Sequence, residues 1–525
     1  MGRLILYGKV DFAFQNTSCV GRPRTRLRVP AASLRCAKRG DLVYFTPNMS
    51  RFHISFCAIS AVFSAVGAYA STNSVAVDAG ADLRIRQEIM HNITGLPGAP
   101  GAMMPRAYKK DINHIRIRPR IWAKASWDRF TLYGRLVDEV REHIVKNGVP
   151  RKRRSYNFPD EVVLDNLYLD AKGLFDGFLD FRIGRQDLLE NGQSVFGLPR
   201  LMQDGTAYDG SRSCYADMVR FTFHTSDESK IDAFALYDNG RNVFRYGNRS
   251  SRGRPINAIH PGDSPGMDEW GGGLIWSDSI CDRTFPYKVY VIHKHNEAYH
   301  APGGRRMPDK QITTFGIDVT PSLNENLSFE LDLADQVGTL SDGGRQAGGQ
   351  MVYAAVDLHR SQKAMGVRPY TRLSVYYLSG DRHHGNPGDN DTAWDPLWAR
   401  APQDSELFQY GTLYGLGYWS NVAYPKLTIG ANMGPRHRVS AYSGPMFAAA
   451  QDGDGHADGS DHGMFKGTFS AVRYDFPIRL ADKGAQGCDR FEVFGHVMAE
   501  LFNPGDYYDS SRPAWFIRWE LIFSF

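Results

Sequence analysis

Read two residues at a time, the segment Trp515 to Phe525 separates into two faces. Trp515, Ile517, Trp519, Leu521, Phe523 and Phe525 share one face, and Arg518, Glu520 and Ser524 share the other. Only Phe516 and Ile522 break the alternation. A period of two marks a strand with one apolar and one wet side. The same pattern starts near position 75, where Val75, Val77, Ala79, Ala81, Leu83 and Ile85 oppose Asp78, Asp82, Arg84 and Arg86. It is clearest at 311–337. There Phe315, Ile317 and Val319 point one way, Pro321-Ser-Leu-Asn-Glu-Asn326 turns the chain, and Leu327, Phe329, Leu331 and Leu333 resume the apolar face opposite Ser328, Glu330 and Asp332.

Strand-like segments recur near 75–88, 112–123, 127–142, 163–174, 178–188, 217–225, 230–237, 272–280, 286–296, 311–320, 327–337, 351–359, 369–378, 409–419, 426–434, 464–479, 490–501 and 515–525, which makes eighteen. Connections at 124–126, 226–229, 321–326, 420–425 and 480–489 are short. Those at 189–216, 238–271, 338–350, 379–408 and 435–463 are long and rich in Gly, Asp and Asn. An even strand count, half-apolar strands and alternately short and long connections predict an all-β, transmembrane antiparallel barrel of the bacterial outer membrane. Its short turns would face the periplasm and its long loops the outside. A closing strand that ends on Phe525 fits the signal read by the barrel-assembly machinery.

Composition changes this picture only at the N-terminus. The mean hydropathy of −0.40 is what half-apolar strands average to, and no stretch after position 71 offers the ~18–20 apolar residues of a membrane helix. Before it, Met49-Ser-Arg51 opens a basic stretch, Ile54 to Val66 is apolar, and Gly67-Ala-Tyr-Ala70 offers a small-x-small cleavage site. That is the pattern of a signal peptide at 49–70, which leaves 1–48 as a mis-assigned upstream extension and 71–525 as the barrel. Residues 1–70 hold ten of the 62 Lys/Arg and two of the 57 Asp/Glu, so the remainder holds 52 and 55, and the net charge of +5 becomes −3. A nucleic-acid partner thereby loses its compositional support. Three cysteines remain, Cys214, Cys281 and Cys488, too scattered for a disulfide framework.

Between 178 and 237 the chain carries Phe181-Arg-Ile-Gly-Arg-Gln-Asp-Leu188, Asp209-Gly-Ser-Arg212, Asp217-Met-Val-Arg-Phe-Thr222 and Asp232-Ala-Phe-Ala-Leu-Tyr237. Trp394-Asp-Pro-Leu-Trp398 and Leu501-Phe-Asn-Pro-Gly-Asp506 follow. These stretches resemble the alginate export family of outer-membrane proteins. The resemblance implies an eighteen-stranded monomeric barrel whose arginine-rich constriction passes a polyanionic uronate chain, with Arg182 and Arg185 in the matching run. At Asp165-Asn166 the chain departs from the family's Arg-Glu pair.

Parity names the lumenal side chains without the family. Arg84 and Arg86 lie opposite the apolar face of the first strand; Arg116, Arg118 and Arg120 do so on the second, Arg182 on the fifth and Arg220 on the sixth. Arg185 has the lipid-facing parity, so its lumenal role rests on the resemblance. Arginine at the lipid midplane costs roughly 2–4 kcal/mol, whereas a wet lumen accepts it, and its fork suits carboxylates. Glu330, Asp332, Glu492 and Glu500 make the opposing wall acidic. Outside, Arg151, Lys152, Arg153 and Arg154 form a loop suited to capturing polyanions or lipopolysaccharide phosphates, or one that is merely solvated. Asp452, Asp454 and Asp458 have the oxygen density of a calcium loop without its closing bidentate Glu; an acidic loop is the plainer reading. His293, His295 and Glu297 alternate as metal ligands on a strand do, although a rim position suits them better.

No nucleophile elbow, phosphate-binding loop or zinc spacing is present, so no enzyme and no cofactor is expected. The leading expectation is a passive channel for an anionic polysaccharide or oligosaccharide, with periplasmic secretion partners if it exports. The alternative is a general or sugar-acid uptake porin.

Overall fold

Alternating side chains and antiparallel neighbours build one closed sheet in the computed structural model. The structure describes residues 75–92, 111–146, 149–150, 161–190, 192–203, 215–238, 245–247, 268–280, 284–300, 306–341, 344–360, 366–381, 390–399, 404–407, 420–434, 436–450, 463–481, 490–508 and 511–525. The upstream extension expected at 1–48, the signal peptide expected at 49–70, the strand expected at 409–419, the basic loop Arg151–Arg154 and the calcium-like aspartates 452–458 lie outside the described residues.

Eighteen wall strands are found among the described residues. They are Ala76–His91 (β1), Ile112–Trp127 (β2), Phe130–Val137 continued by Val140–Lys146 (β3), Glu161–Leu174 (β4), Leu179–Asp187 (β5), Tyr215–His224 (β6), Lys230–Asp238 (β7), Glu269–Ile280 (β8) and Phe285–Asn296 (β9). The second half comprises Lys310–Val319 (β10), Leu327–Leu340 (β11), Arg345–His359 (β12), Val367–Leu378 (β13), Val422–Met433 (β14), Arg438–Phe447 (β15), Phe465–Arg479 (β16), Glu492–Pro504 (β17) and Ala514–Ser524 (β18). Each pairs antiparallel with its sequence neighbours, and β18 closes on β1 from Asp82↔Ser524 to His91↔Trp515.

The register carries one parity around the wall. On β18, Phe516, Arg518 and Glu520 are buried toward the lumen, while Ile517 and Trp519 are exposed. Exposed Leu274, Phe315, Val337, Leu373 and Ile429 continue the outer apolar surface on other strands. An apolar outside, a polar inside and a wall sheet that closes on itself make this a bilayer-spanning barrel, and the chain is a bacterial outer-membrane protein. No helix among the described residues is long and apolar enough to cross a membrane.

Two strand expectations are corrected. The segment 435–463, read as one long outer loop, contains β15, and the chain reverses between Met433 and Arg438 rather than at 420–425. The stretch 338–350, also read as a long outer loop, is mostly β11 and β12, paired as far as Leu340↔Arg345.

Pro119 lies inside β2 without disturbing it, because the neighbouring β3 breaks at Asp138-Glu139 and Asp138 N donates to the Pro119 carbonyl at 3.1 Å. A break of this kind re-aims a side chain. Here it turns Glu139 into the lumen beside Arg84 and Arg116.

Candidate lumenal site

Two connections expected on the outer side fold back into the barrel. The first, 188–203, buries Leu188, Phe196, Leu198, Leu201 and Met202. Its tight form comes from local bonds: Ser194 Oγ donates to the Met202 carbonyl at 2.7 Å, and Met202 N to the Leu198 carbonyl at 2.9 Å. The second, 390–399 with 404–407, buries Trp394, Leu397, Trp398 and Leu407. The two segments meet. Trp398 N donates to the Leu201 carbonyl at 3.0 Å, Gln203 N donates to the Trp398 carbonyl at 3.3 Å, and Met202 bridges Trp398 in parallel.

The wall makes room for them where it lacks side chains. A Cβ at Gly271 would strike the Trp398 ring, and one at Gly349 would strike the Trp394 backbone. Glycine in a strand weakens it, and here each one permits the close approach of a second chain segment.

Charge fixes the inward segments with opposite signs on the neighbouring strands β9, β10 and β11. Arg200 of the first segment donates to Asp332 at 3.1 Å, pairs with Glu330, and lies 3.5 Å over the Tyr353 ring. Asp395 of the second segment meets Lys294 at 3.2 Å and Lys310 at 3.6 Å, and Gln336 bonds its backbone in both directions. Burial alone would raise the Asp395 carboxyl, yet the two lysines hold it well below the usual carboxylate range. Farther along, Ser405 Oγ, Glu406 N and Leu407 N all donate to Glu500 of β17, at 2.9, 2.9 and 2.7 Å.

The arginines selected by parity lie on the register rows opposite the exposed apolar face, and most are engaged with acids. Arg84 and Arg118 face one another on β1 and β2, as do Arg86 and Arg116. Arg84 meets Glu139 at 3.2 Å, Arg86 meets Glu88 at 3.0 Å, and Arg116 Nε donates to Glu139 at 2.8 Å. Arg182 and Arg220 share a row between β5 and β6. Arg182 pairs with Asp170 at 3.2 Å and Glu190 at 2.5 Å, and lies 4.3 Å over Tyr168. Arg220 approaches Asp232 at 3.8 Å.

Arg185 stands apart. Its register row holds exposed Leu167 and Asp217, the latter paired with exposed Tyr237, and its guanidinium closes on Asp217 at 2.7 Å. The lumenal place implied by the resemblance is therefore not where the structure puts it; the outward parity is kept. Asp165 and Asn166, at the departure from the family pattern, are buried at a β4 irregularity, where Arg135 holds Asp165 at 2.8 Å. His295 shares its row with exposed Trp270 and Gln311 and bonds Asp309 at 2.7 Å, while His293 shares its row with Gly272 and Thr313 and bonds Thr313 at 3.0 Å. Among the described residues no group of three or more metal-ligating side chains converges.

A recess of about 350 Å³ remains where β16, β17, β18 and β1 face the lumen. Arg84, Arg86, Arg473 and Arg518 line it, with Glu406, Asp475 and Glu520 among them and His496 at the side. Neither Arg473 nor Glu406 is singled out by the alternation of the sequence. Arg518 and Glu520 were legible as the wet face of the closing strand, whereas Glu406 belongs to a loop that no periodicity describes.

No protein-family model matches the chain, and neither does any curated protein. Among solved structures it is similar to OpdO of Pseudomonas aeruginosa, at 10% identity over 85% of this chain and 97% of that one, with a TM-score of 0.45. It is also similar to OccK2 (OpdF) of Pseudomonas aeruginosa in complex with glucuronate, at 11% identity over 85% and 97%, with a TM-score of 0.43. A third is OprB of Pseudomonas putida at high pH, at 9% identity over 86% and 94%, with a TM-score of 0.39.

Proposed function

We propose that this chain is a passive outer-membrane channel for small acidic solutes of the sugar-acid class, taken up through a lumen that its own inward segments narrow. The observation that carries the reading is the junction of those segments at Leu201, Met202 and Trp398 inside the barrel. A uronate polymer needs a continuous wide aperture, and residues 188–203 and 390–399 occupy that space. A monosaccharide acid needs far less: the recess of about 350 Å³ is at the small end of the ~300–1,000 Å³ typical of ligand sites.

Chemistry supports the same class. Guanidinium forks recognise carboxylates in a bidentate manner. The interleaved Glu406, Asp475 and Glu520 keep the field moderate, so that a solute can leave as well as enter, as conduction requires. The export reading rests on the family resemblance and would require both inward segments to vacate the lumen. Lipopolysaccharide at the outer loops and the assembly machinery at the closing strand belong to this proposal as partners.

Uptake into proteoliposomes tests it. Glucuronate is expected to enter several-fold faster than glucose, and a uronate decamer not at all. Entry of the decamer at the rate of glucuronate would return the export reading, and no entry of any of the three would end the channel reading.

A further inference from the structure

We infer that Glu406 is a tethered stand-in for the solute: its carboxylate occupies the edge of Arg518 that an incoming acidic solute takes. This rests on the sugar-acid reading above and adds to it a competitor built into the chain.

Arg518 is a two-sided receptor. Its Nε and Nη2 donate to Glu88 of β1 at 3.0 and 2.5 Å, and Glu88 is itself fully buried against His114 at 2.6 Å. That side is fixed. Nη1 on the other side donates to Glu406 at 2.7 Å. The Glu88 side chain is 0% exposed and the Glu406 side chain 29% exposed. Of the two carboxylates on this guanidinium, only Glu406 is within reach of a solute.

The loop around Glu406 does not depend on that contact. Its backbone is held by Glu500 through Ser405 Oγ, Glu406 N and Leu407 N. The side chain can therefore rotate away while the segment stays seated. When it leaves, the Arg84, Arg86, Arg473 and Arg518 lining is opposed within the recess by Asp475 and Glu520 alone. An entering carboxylate restores the balance and finds the remaining edge of Arg518 already oriented, so little ordering is left to do. A neutral sugar of the same size restores nothing. The stand-in thus sets a threshold: solutes without a carboxylate cannot displace it, and those with one exchange against it, which keeps binding weak enough for release.

The test is glucuronate affinity, by titration calorimetry of the full barrel in detergent, for wild type, Glu406→Gln and Glu406→Asp. Removing the internal carboxylate is expected to tighten glucuronate at least fivefold in Glu406→Gln and leave its neutral methyl ester unchanged. Glu406→Asp, one methylene short of Arg518 with the charge kept, is expected to fall between, and carries the test alone if Glu406→Gln does not assemble. Equal or weaker binding in the variants, with wild-type binding intact, overturns the stand-in and leaves the sugar-acid reading in place. Absence of glucuronate binding in every form overturns both.

Discussion

Arg200 donates to Asp332 at 3.1 Å, joining the first inward segment to β11, and the carboxylate it meets is 0% exposed. Tyr290 donates to the same carboxylate at 2.8 Å, and Glu330 lies on the other side of the guanidinium. Removing one partner of a buried pair costs about 3–5 kcal/mol, because the other charge stays behind without compensation. Arg200→Ala is expected to release the first segment, raise single-channel conductance several-fold and add open-state noise. Arg200→Lys keeps the charge but loses the fork and the flat contact with Tyr353, so it should fall between. A conductance identical to wild type in Arg200→Ala would mean that the segment is held by its apolar residues alone.

The second segment is anchored at the Asp395 carboxylate, and this fixes the sign of its acid response. Burial alone would raise Asp395, but Lys294 and Lys310 hold it well below the ordinary range. A carboxylate whose pKa is depressed in the folded state contributes stability that is complete above its ordinary pKa and is lost as pH falls through the depressed one. Conductance should therefore stay level from pH 7 to about 5 and rise only as pH drops from about 4 toward 2. A bilayer recording across that range checks it. A rise already complete at pH 5 would contradict the pairing of Asp395 with Lys294 and Lys310.

Gly349 is the contact on which the same segment leans, since the Trp394 backbone occupies the place of its missing side chain. Gly349→Val adds bulk that β12 accepts as a strand and that Trp394 does not. The barrel is expected to assemble normally while the second segment leaves its seat. Two measurements read this: heat-resistant migration unchanged on a gel, and conductance raised to match Arg200→Ala. Overpacking of this kind typically costs about 1–3 kcal/mol, small enough for a closed barrel to survive.

Much of the wall was legible because lipid and lumen impose a strict period of two. The hairpin of β10 and β11 and the closing strand β18 follow the alternation read from Phe315 to Leu333 and from Trp515 to Phe525. β15 was not legible. Between Val439 and Phe447 its outward positions are Ala441, Ser443 and Pro445, too slight for a hydrophobic rhythm, and Ser443 bonds Ser470 of β16 at 2.8 Å on that side. The inward segments were missed for a different reason. A Gly- and Asp-rich connection reads as solvated, yet Trp394, Leu397 and Trp398 within five residues are more apolar surface than a wet loop has use for. Phe516 carried the same signal: it breaks the alternation of β18 because it packs, fully buried, with the apolar core that these segments bring into the lumen.

Arg182 and Arg185 separate what register says from what resemblance implies. Arg182 faces the lumen in a row with Arg220, bonded to Asp170 and Glu190, and stacks on Tyr168. Arg185 occupies the outward row of Leu167, satisfied by Asp217, by the Leu164 carbonyl at 3.0 Å, and by the Tyr215 ring at 4.0 Å. Its charge is spent on the wall and does not enter the pore field. Arg185→Ala is therefore expected to lower thermal stability, by the roughly 3–5 kcal/mol of a broken pair where it is buried and less where Asp217 meets solvent, and to leave the reversal potential under a KCl gradient unchanged. Arg182→Ala should shift that potential toward cation selectivity, because Asp170 and Glu190 then face the lumen without their partner. If Arg185→Ala shifts the potential as far as Arg182→Ala does, the outward register of β5 is wrong and the family's constriction returns to the lumen at that position.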